Sequence, residues 1–534
     1  MNLKLSILDT TFRDGIQGEN VEAANRQEII QAIQAIDSLG VSYLELGFAT
    51  ANEAARLRIT KALDLNLKAK VSAFGRTHPN DVKAILGLKV PVAVLVGKSR
   101  KRDAEISLRK TPEQNLQLIR DSITTLANAD LEVIFDAEHF FQAFWEDDRD
   151  YALQALEAAL TSGAHWIVLC DTNGKMTPQK IIQTITNVKE LIPIKKLGIH
   201  THNDRGLALA NAEAAFSEGV CHIQGTIGGV GERTGNMDLT TFIPNICFNY
   251  GNKSFNPNQL KRLTRVYLLV CDALNITPDP KKPWVGDSAF YTEAGMHESG
   301  LERDPGSYFH ANPELIGNRM RGGVTDQSGR ANITAKAKHL GIDIPDDKLT
   351  AIAARHQELV DMGANFGAAD ASFLLFVLRE LGQLPKFFEF VGLRITINKW
   401  ENQPIQTEAN LKMKVAGEDQ WHNAAGDGPV NALDEVLRRK LRKIYPDLEL
   451  VKLIDFKVRI IDAVRGTAAK VRVLVDFTDG SKTWTTMGVH ENIIEACWNA
   501  LLDSYTYKLL MNSHKPAAAD ATEIAVTAPM DITL

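Results

Sequence analysis

The first 226 residues of the chain alternate between short apolar runs and amphipathic stretches, and this alternation strongly constrains the fold. Several runs are almost continuously hydrophobic, which is typical of strands that are buried on both faces of a parallel sheet. The stretch before the second run carries Ile29, Ile33, Ile36 and Leu39 at the spacing of one helical face. The eight runs are LKLSIL (3–8), VSYLELG (41–47), AKVSAF (69–74), VPVAVLV (90–96), LEVIFD (131–136), HWIVLC (165–170), KLGIHT (196–201) and VCHIQGT (220–226).

Glycines close three of the predicted helices. The sequences SLGV, TSGA and SEGV, which end at Val41, Ala164 and Val220, each place a glycine between a helical stretch and the next apolar run. Glycine adopts the left-handed backbone of a helix cap at little cost. Eight strand–helix units over about 250 residues is the size of a (β/α)8 TIM barrel. A doubly wound open sheet is the alternative, but no GxGxxG motif opens the first unit.

Composition and charge exclude several classes of partner. Sixty basic and 66 acidic side chains give a net charge of -6, and no long basic block occurs, so neither nucleic acid nor a membrane surface is expected to bind. The five cysteines show no CxxC spacing, which argues against a disulfide framework or a zinc–thiolate site. No run of eighteen apolar residues occurs. We expect a cytoplasmic protein that acts on small molecules.

Chemically active residues collect at the carboxyl ends of the predicted strands, where barrel enzymes carry out their chemistry. His200 and His202 close the seventh run, and they point to the same side because a strand has a period of two. Two imidazoles, a carboxylate and an amide oxygen suit a divalent ion such as Mn²⁺, Zn²⁺ or Mg²⁺. The other candidates at this rim are Asp14, Glu138, Asp171 and the glycine-rich segment 228–236.

Structural explanations compete with this interpretation. An isolated histidine at a strand end is more often hydrogen-bonded than metal-bound, although a pair on one side favours the metal. The glycines of GGVGERTGN (228–236) are equally compatible with a tight turn and with the close approach of a ligand. VGKS (96–99) is not a phosphate-binding loop, because Val92 stands where that motif requires a glycine.

Four motifs in order resemble the signature set of a metal-dependent barrel family that contains 2-isopropylmalate synthase, homocitrate synthase, citramalate synthase and hydroxymethylglutaryl-CoA lyase. The motifs are LDTTFRDGIQ (8–17), DTNG (171–174), HTHND (200–204) and GERTGN (231–236). Later segments, 295–318 and 328–333, are similar to the linker of the synthases, and 426–433 and 488–504 to their regulatory domain. DAEHFF (136–141), 457–477 and the ENIIEA segment are most similar to the citramalate synthase branch.

The resemblance implies a role for particular residues. Two linker residues would complete the site, His297 and Tyr308, and the subunit that supplies them is left open. Arg13 would contact the keto oxygen of the substrate and Thr172 its carboxylate, and Glu138 would be an active-site carboxylate. The base that removes the methyl proton is Glu138 or His297, while Tyr308 would donate or relay a proton. The implied metal ligands are Asp14, His200, His202 and Asn236.

The activity implied by the resemblance is a Claisen-type condensation of pyruvate with acetyl-CoA and water, which yields citramalate and CoA for isoleucine biosynthesis. The nearest alternative is 2-isopropylmalate synthesis from the bulkier 2-ketoisovalerate, for leucine biosynthesis. A few methyl groups in a pocket decide between the two substrates, and they are worth only about 1–3 kcal/mol. A more distant alternative is an amino-acid sensor that keeps the barrel as a scaffold without catalysis.

The sequence after the barrel changes character. Residues 1–275 are assigned to the catalytic barrel and residues 276–385 to a mostly helical linker that opens with the proline-rich TPDPKKPWVGD (277–287). Residues 386–511 are expected to form an α+β regulatory domain that binds isoleucine or leucine, and the chain is expected to be a homodimer. The tail 512–534 lacks periodicity and is expected to be disordered.

Overall fold

The computed structural model describes residues 4–17, 26–292, 309–319, 321–322, 330–366, 369–415, 418–461, 466, 468–480 and 482–512. The candidate residues His297 and Tyr308 and the tail after residue 512 lie outside the described residues. The chain divides into two compact units, residues 1–290 with 309–320 and residues 291–308 with 321–534. Each unit is built around its own hydrophobic core.

The first unit is a closed barrel of eight parallel strands in sequential order, so the predicted barrel is confirmed and the open-sheet alternative is wrong. All eight predicted runs form strands, and several strands continue one or two residues beyond the run into polar sequence. The strands are β1 (Ser6–Asp9), β2 (Tyr43–Phe48), β3 (Lys70–Arg76), β4 (Val92–Lys98), β5 (Glu132–Glu138), β6 (Trp166–Asp171), β7 (Leu197–Thr201) and β8 (His222–Gly225).

Helices surround the barrel, and local sequence signals set their ends. Thr111 and Gln114 form a reciprocal capping box at the start of one helix, and the predicted cap Gly163 has a φ of 102°. The helices are α1 (Arg26–Leu39), α2 (Glu53–Leu63), α3 (Pro79–Leu88), α4 (Lys101–Ile106), α5 (Pro112–Ala127), α6 (Phe140–Glu146), α7 (Arg149–Thr161), α8 (Pro178–Val188), α9 (Ala208–Ser217), α10 (Leu239–Asn249), α11 (Pro257–Leu260) and α12 (Leu263–Ala273).

The interior of the barrel is filled by alternate residues of the strands. Val92 and Val94 of β4 and Ile134 of β5 belong to this inner cluster, so their period-two successors at the top of the strands also face inward. The amino-terminal floor is aromatic: Trp166 stacks on His222 with ring centroids 4.8 Å apart. The candidate site residues lie at the opposite end, the carboxyl-terminal mouth that is built by the last residues of the strands.

The second unit combines helices with two antiparallel three-stranded sheets, as the sequence predicts for the C-terminal region. One sheet has the order β11–β12–β13 and the other β14–β15–β16, and helices pack with both in one core. The strands are β9 (Tyr291–Thr292), β10 (Arg321–Gly322), β11 (Glu389–Asn398), β12 (Gln406–Val415), β13 (Glu418–Gly426), β14 (Lys452–Ile460), β15 (Val471–Thr478) and β16 (Thr483–His490). The helices are α13 (Arg330–His339), α14 (Asp346–Asp361), α15 (Asp370–Glu380), α16 (Pro429–Leu441) and α17 (Ile493–Met511).

Within the part of the chain that the structure describes, no helix has both the length and the apolar character needed to cross a bilayer.

Candidate active site

Three of the four predicted metal ligands meet at the mouth of the barrel. Asp14 follows β1, His200 lies in β7, and His202 comes directly after that strand. One potential ligand atom from each lies within 4.8 Å of the others, and all three side chains are buried. The Nε2 atoms of the two histidines are 3.3 Å apart, and Nε2 of His200 is 3.5 Å from Oδ2 of Asp14.

Asn236, the fourth predicted ligand, lies beside this cluster. It forms an isolated backbone bridge with His202, and its Nδ2 donates a hydrogen bond to the carbonyl oxygen of Val230. Its Oδ1 is buried and has no hydrogen-bond partner among the residues that the structure describes. A buried carbonyl oxygen without a partner is costly, and a cation is one group that satisfies it.

The cluster fits a divalent ion. Two nitrogens that bind one ion at about 2.1 Å are separated by about 3.0–3.5 Å, which includes the distance between the two imidazoles of His200 and His202. Nitrogen and oxygen donors together suit Mn²⁺, Zn²⁺ or Mg²⁺. The geometry of Asp14, His200 and His202 is therefore compatible with a divalent ion, and the four-residue ligand set implied by the resemblance stays a prediction.

Electrostatics keep each group of the cluster in the form that binds a cation. Burial opposes ionisation of Asp14, but the Arg13 guanidinium and the two imidazoles outweigh it and hold the pKa of this carboxyl well below its usual range. Burial, reinforced by His200, lowers the pKa of His202 to about 4, and burial also lowers the pKa of His200. At neutral pH the two imidazoles are neutral and can each offer a lone pair.

Arg13 is held in place from three sides. Its Nε donates to Oε2 of Glu45 at 2.5 Å and its Nη1 to Oδ2 of Asp14 at 3.0 Å, while the guanidinium lies 4.0 Å from the ring centroid of Phe74. Neighbouring carboxylates keep Arg13 charged despite its burial. Sequence reasoning missed Glu45, whose signal is a carboxylate in the middle of an apolar strand; burial raises its pKa to about 7.

A buried amide connects His200 to the opposite wall of the barrel. Oε1 of Gln224, on β8, lies 2.9 Å from Nδ1 of His200, and its Nε2 donates to Oδ1 of Asp136 at 2.8 Å. Burial, together with the charge of Glu45, raises the pKa of Asp136 to about 8. The sequence analysis missed both residues: Gln224 lies inside the eighth apolar run, and Asp136 ends the fifth.

Glu138 lies at the top of β5, across the barrel from β1. Lys98 of β4 pairs with it in register, and its ammonium is 2.5 Å from Oε2 of Glu138. The hydroxyl of Ser99 donates to the backbone carbonyl of Glu138 at 2.6 Å. The dipeptide Lys98–Ser99 therefore holds Glu138 by side chain and by backbone, a role that the sequence did not reveal.

Thr172 closes the same rim after β6. Its Oγ1 accepts a hydrogen bond from the backbone N–H of His139 at 2.8 Å, and its carbonyl oxygen accepts one from Arg233 at 2.8 Å. Asp171, also named as a rim candidate, is turned toward its own loop, where its carboxylate accepts from the N–H groups of Lys175 and Met176. It therefore orders the loop that carries Thr172.

The glycine-rich segment after β8 serves as a tight turn around Asn236. A Cβ on Gly231 would stand 2.1 Å from Nδ2 of Asn236, and one on Gly235, whose φ is 96°, would stand 2.0 Å from the carbonyl oxygen of Gly229. Only glycine allows the chain to pack this closely. Arg233 of the same segment donates to Asp204, which follows β7, so the turn is tied to the neighbouring rim.

Comparison with known proteins gives matches along most of the chain. The HMGL-like family model matches residues 4–266, a homocitrate synthase post-HMGL domain-like model matches 284–364, and the LeuA allosteric (dimerisation) domain model matches 368–509. An (R)-citramalate synthase of Aquifex aeolicus is 40% identical over 96% of this chain and 99% of its own. One of Geobacter sulfurreducens is 39% identical over 95% and 97%. A 2-isopropylmalate synthase of Methanocaldococcus jannaschii is 29% identical over 96% of each chain.

Proposed function

The chain belongs to the (R)-citramalate synthase family of HMGL-like barrel enzymes, and from this membership we propose that it condenses pyruvate with acetyl-CoA and water to give citramalate and CoA. It is an acyltransferase that converts the acyl group to an alkyl group on transfer. The observation that carries the proposal is the cluster of Asp14, His200 and His202 at the barrel mouth of a chain that matches these relatives over nearly its full length. Because the relatives are enzymes, the sensor alternative has no support.

The reaction requires an enolate-like carbon from the thioester methyl group and a ketone that accepts it. A divalent ion held by Asp14, His200, His202 and Asn236 would act as a Lewis acid toward the ketone, an effect worth several kcal/mol as negative charge develops on oxygen. Mn²⁺, Mg²⁺ and Zn²⁺ all suit these donors, and the experiment below uses Mn²⁺.

Arg13 provides a fixed positive charge for the same oxygen. Glu45, Asp14 and the Phe74 ring already orient its guanidinium, so it needs no rearrangement when negative charge appears. Guanidinium groups keep their proton throughout the physiological range, so Arg13 acts as a hydrogen-bond donor and not as an acid. Thr172 would donate to the carboxylate of the keto acid.

Glu138 and His297 are the two candidates for the base that takes the methyl proton. Glu138 faces the barrel interior across from the proposed metal ligands and is one quarter exposed, so a substrate between them can reach it. A positioned base contributes on the order of 10² to 10⁴ to the rate. His297 and Tyr308 are proposed to complete the site from the linker.

The remaining parts of the proposal concern assembly and location. We propose that 276–385 act as the linker and 386–511 as the effector-binding domain for isoleucine or leucine, and that the match to a dimerisation domain reflects a homodimer. We also propose that the enzyme is cytoplasmic and acts in isoleucine biosynthesis. All five cysteines are free, which is typical of a reducing compartment.

The test measures CoA release with a thiol reagent, with and without added Mn²⁺, for pyruvate and for 2-ketoisovalerate. We expect Mn²⁺-dependent turnover and a specificity constant for pyruvate about 10- to 200-fold above that for 2-ketoisovalerate, the range that a few methyl groups produce. A preference for 2-ketoisovalerate would instead assign the chain to 2-isopropylmalate synthesis. Turnover with neither keto acid would contradict the proposed condensation.

A further inference from the structure

A three-residue hydrogen-bonded chain crosses the interior of the barrel behind the metal cluster. It runs from His200 on β7 through Gln224 on β8 to Asp136 on β5, with successive donor–acceptor distances of 2.9 and 2.8 Å. Gln224 is 1% exposed and Asp136 is 4% exposed. Polar atoms buried to this degree depend on hydrogen-bond partners.

The chemistry of these partners fixes the protonation of the imidazole. Gln224 turns its N–H₂ group toward Oδ1 of Asp136, which accepts the hydrogen bond, and its amide oxygen toward Nδ1 of His200. An amide oxygen accepts hydrogen bonds but cannot donate them, so Nδ1 of His200 must carry the hydrogen. The Nε2 atom is then left with its lone pair, and it faces Asp14 and His202.

We propose that Gln224, held by Asp136, is a positioning residue that fixes His200 as the Nδ1-protonated tautomer and directs its Nε2 lone pair to the divalent ion. This inference rests on the metal centre in the proposed function. Residues that orient a metal-binding histidine contribute about 10- to 100-fold to metal affinity. A glutamine acts here where a carboxylate or backbone carbonyl is the usual partner.

The chain offers a closely matched control. Gln142, on α6, is also 1% exposed and its Nε2 also donates to an aspartate, Oδ1 of Asp171, at 3.3 Å. Its amide therefore contacts Asp171, which lies outside the metal cluster. Replacing Gln142 by leucine therefore removes the same amide from an equally buried position and leaves the support of His200 intact.

The experiment titrates Mn²⁺ into the full-length chain by calorimetry without substrates, with circular dichroism to verify folding. We expect Gln224→Leu to weaken Mn²⁺ binding 10- to 100-fold, while Gln142→Leu stays within about threefold of the wild-type protein. Gln224→Glu keeps an acceptor for Nδ1, so its affinity should also stay within about threefold. The proposed positioning role of Gln224 would be overturned if Gln224→Leu and Gln142→Leu lost the same Mn²⁺ affinity. Equal losses in Gln224→Leu and Gln224→Glu would overturn it as well.

A second variant separates positioning from general packing. Asp136→Ala should also weaken Mn²⁺ binding, because the amide of Gln224 is then free to turn. The double variant Asp136→Ala, Gln224→Leu should lose no more affinity than Gln224→Leu alone, since Asp136 acts through the glutamine. Additive losses of Mn²⁺ affinity in the double variant would contradict the inference that Asp136 acts through Gln224. Failure of the wild-type chain to bind Mn²⁺ would overturn the metal centre and this role together, whereas binding without CoA release would contradict only the condensation.

Discussion

Buried charge explains much of the behaviour expected of single residues in this barrel. Asp14, Glu45 and Asp136 lie in one buried region together with the guanidinium of Arg13. The three carboxyls respond differently: the pKa of Asp14 is lowered, whereas those of Glu45 and Asp136 are raised to about 7 and 8. Burial is the largest influence on each. Arg13 opposes it at all three carboxyls, and at Asp14 the two imidazoles and Asn236 oppose it as well. Asp14 is therefore the residue suited to bind a cation.

Replacing His202 by alanine should remove metal-dependent turnover and leave the barrel folded. The side chain lies just after β7 and supplies one of three clustered donors, so its loss leaves two. We expect Mn²⁺ affinity to fall at least about 100-fold, with the far-ultraviolet circular dichroism unchanged. CoA release and Mn²⁺ titration measure the effect, and wild-type affinity in the variant would remove His202 from the ligand set.

His222 should make the protein less stable in acid. Burial, with His165 nearby, lowers the pKa of His222 to about 3, compared with 6.5 for an ordinary histidine. Between these values the unfolded chain binds a proton that folded His222 does not, so its contribution to stability is complete above about pH 6.5 and is lost as the pH falls. One such group lowers the free energy of unfolding by about 1.4 kcal/mol per pH unit.

Urea unfolding at several pH values between about 4 and 7 tests this linkage. In His222→Gln the slope of the unfolding free energy against pH should be smaller by about one proton, because glutamine does not titrate. The buried His200 and His202 contribute equally to the slopes of both proteins, so their contributions cancel in the comparison. Identical slopes would show that His222 does not account for the acid sensitivity.

Strand pairing, an element-scale property, produces the second wall of the active site. Strands β4 and β5 pair from Val92 with Glu132 to Lys98 with Glu138, and this register brings the ammonium of Lys98 to the carboxylate of Glu138. The side chains at the ends of both strands face inward because Val94 and Ile134 below them do. Strand β5 carries the proposed base Glu138, and the neighbouring strand β4 supplies Lys98, which orients it.

Lys98→Met should lower the catalytic rate constant by about tenfold or more at neutral pH without unfolding the protein, because Glu138 loses the partner that orients it. Lys98→Arg should recover part of the rate. Lys101→Met is the control: its ammonium is 3.8 Å from Asp148 and nearly half exposed. Steady-state kinetics with both substrates distinguish the variants, and equal rates for Lys98→Met and Lys101→Met would count against the positioning of Glu138.

At the scale of the whole molecule, the second unit exposes apolar side chains that its own core does not cover. Trp400, Trp421, Ile454 and Ile460 are each more than half exposed. Large apolar side chains that stay exposed in a folded unit are candidates for an interaction surface. Because residues 368–509 match the LeuA dimerisation domain, a second copy of the chain is the proposed partner.

Charged substitutions in this surface should weaken the dimer. Trp421→Glu and Ile460→Glu are each expected to raise the dimer dissociation constant at least about 30-fold, which corresponds to about 2 kcal/mol. Ile106→Glu is the control, because Ile106 is 63% exposed but belongs to the barrel unit. Light scattering over a dilution series measures the association, and a dimer that survives both substitutions would place the interface elsewhere.

The sequence by itself determined the barrel and the position of its working end. The apolar runs and helix-capping glycines act locally, through burial of neighbouring residues and the backbone freedom of glycine, so a reader of the chain can recognise them. The same holds for Asp14, His200 and His202, because the carboxyl ends of parallel strands must meet at one rim. The ends of the strands were harder to predict from the sequence. Strands β4 and β5 continue two residues beyond the predicted runs, and these extensions carry Lys98 and Glu138.

Only the tertiary structure decided which buried polar groups support that rim. Glu45, Asp136 and Gln224 read as interruptions of apolar strands, and their partners stand 32, 88 and 24 residues away along the chain. Closure of the barrel and the register of its strands bring these pairs together. Neither can be predicted from the local sequence. The structure also shows that Asp171 turns toward its own loop, where the backbone N–H groups of Lys175 and Met176 satisfy its buried carboxylate.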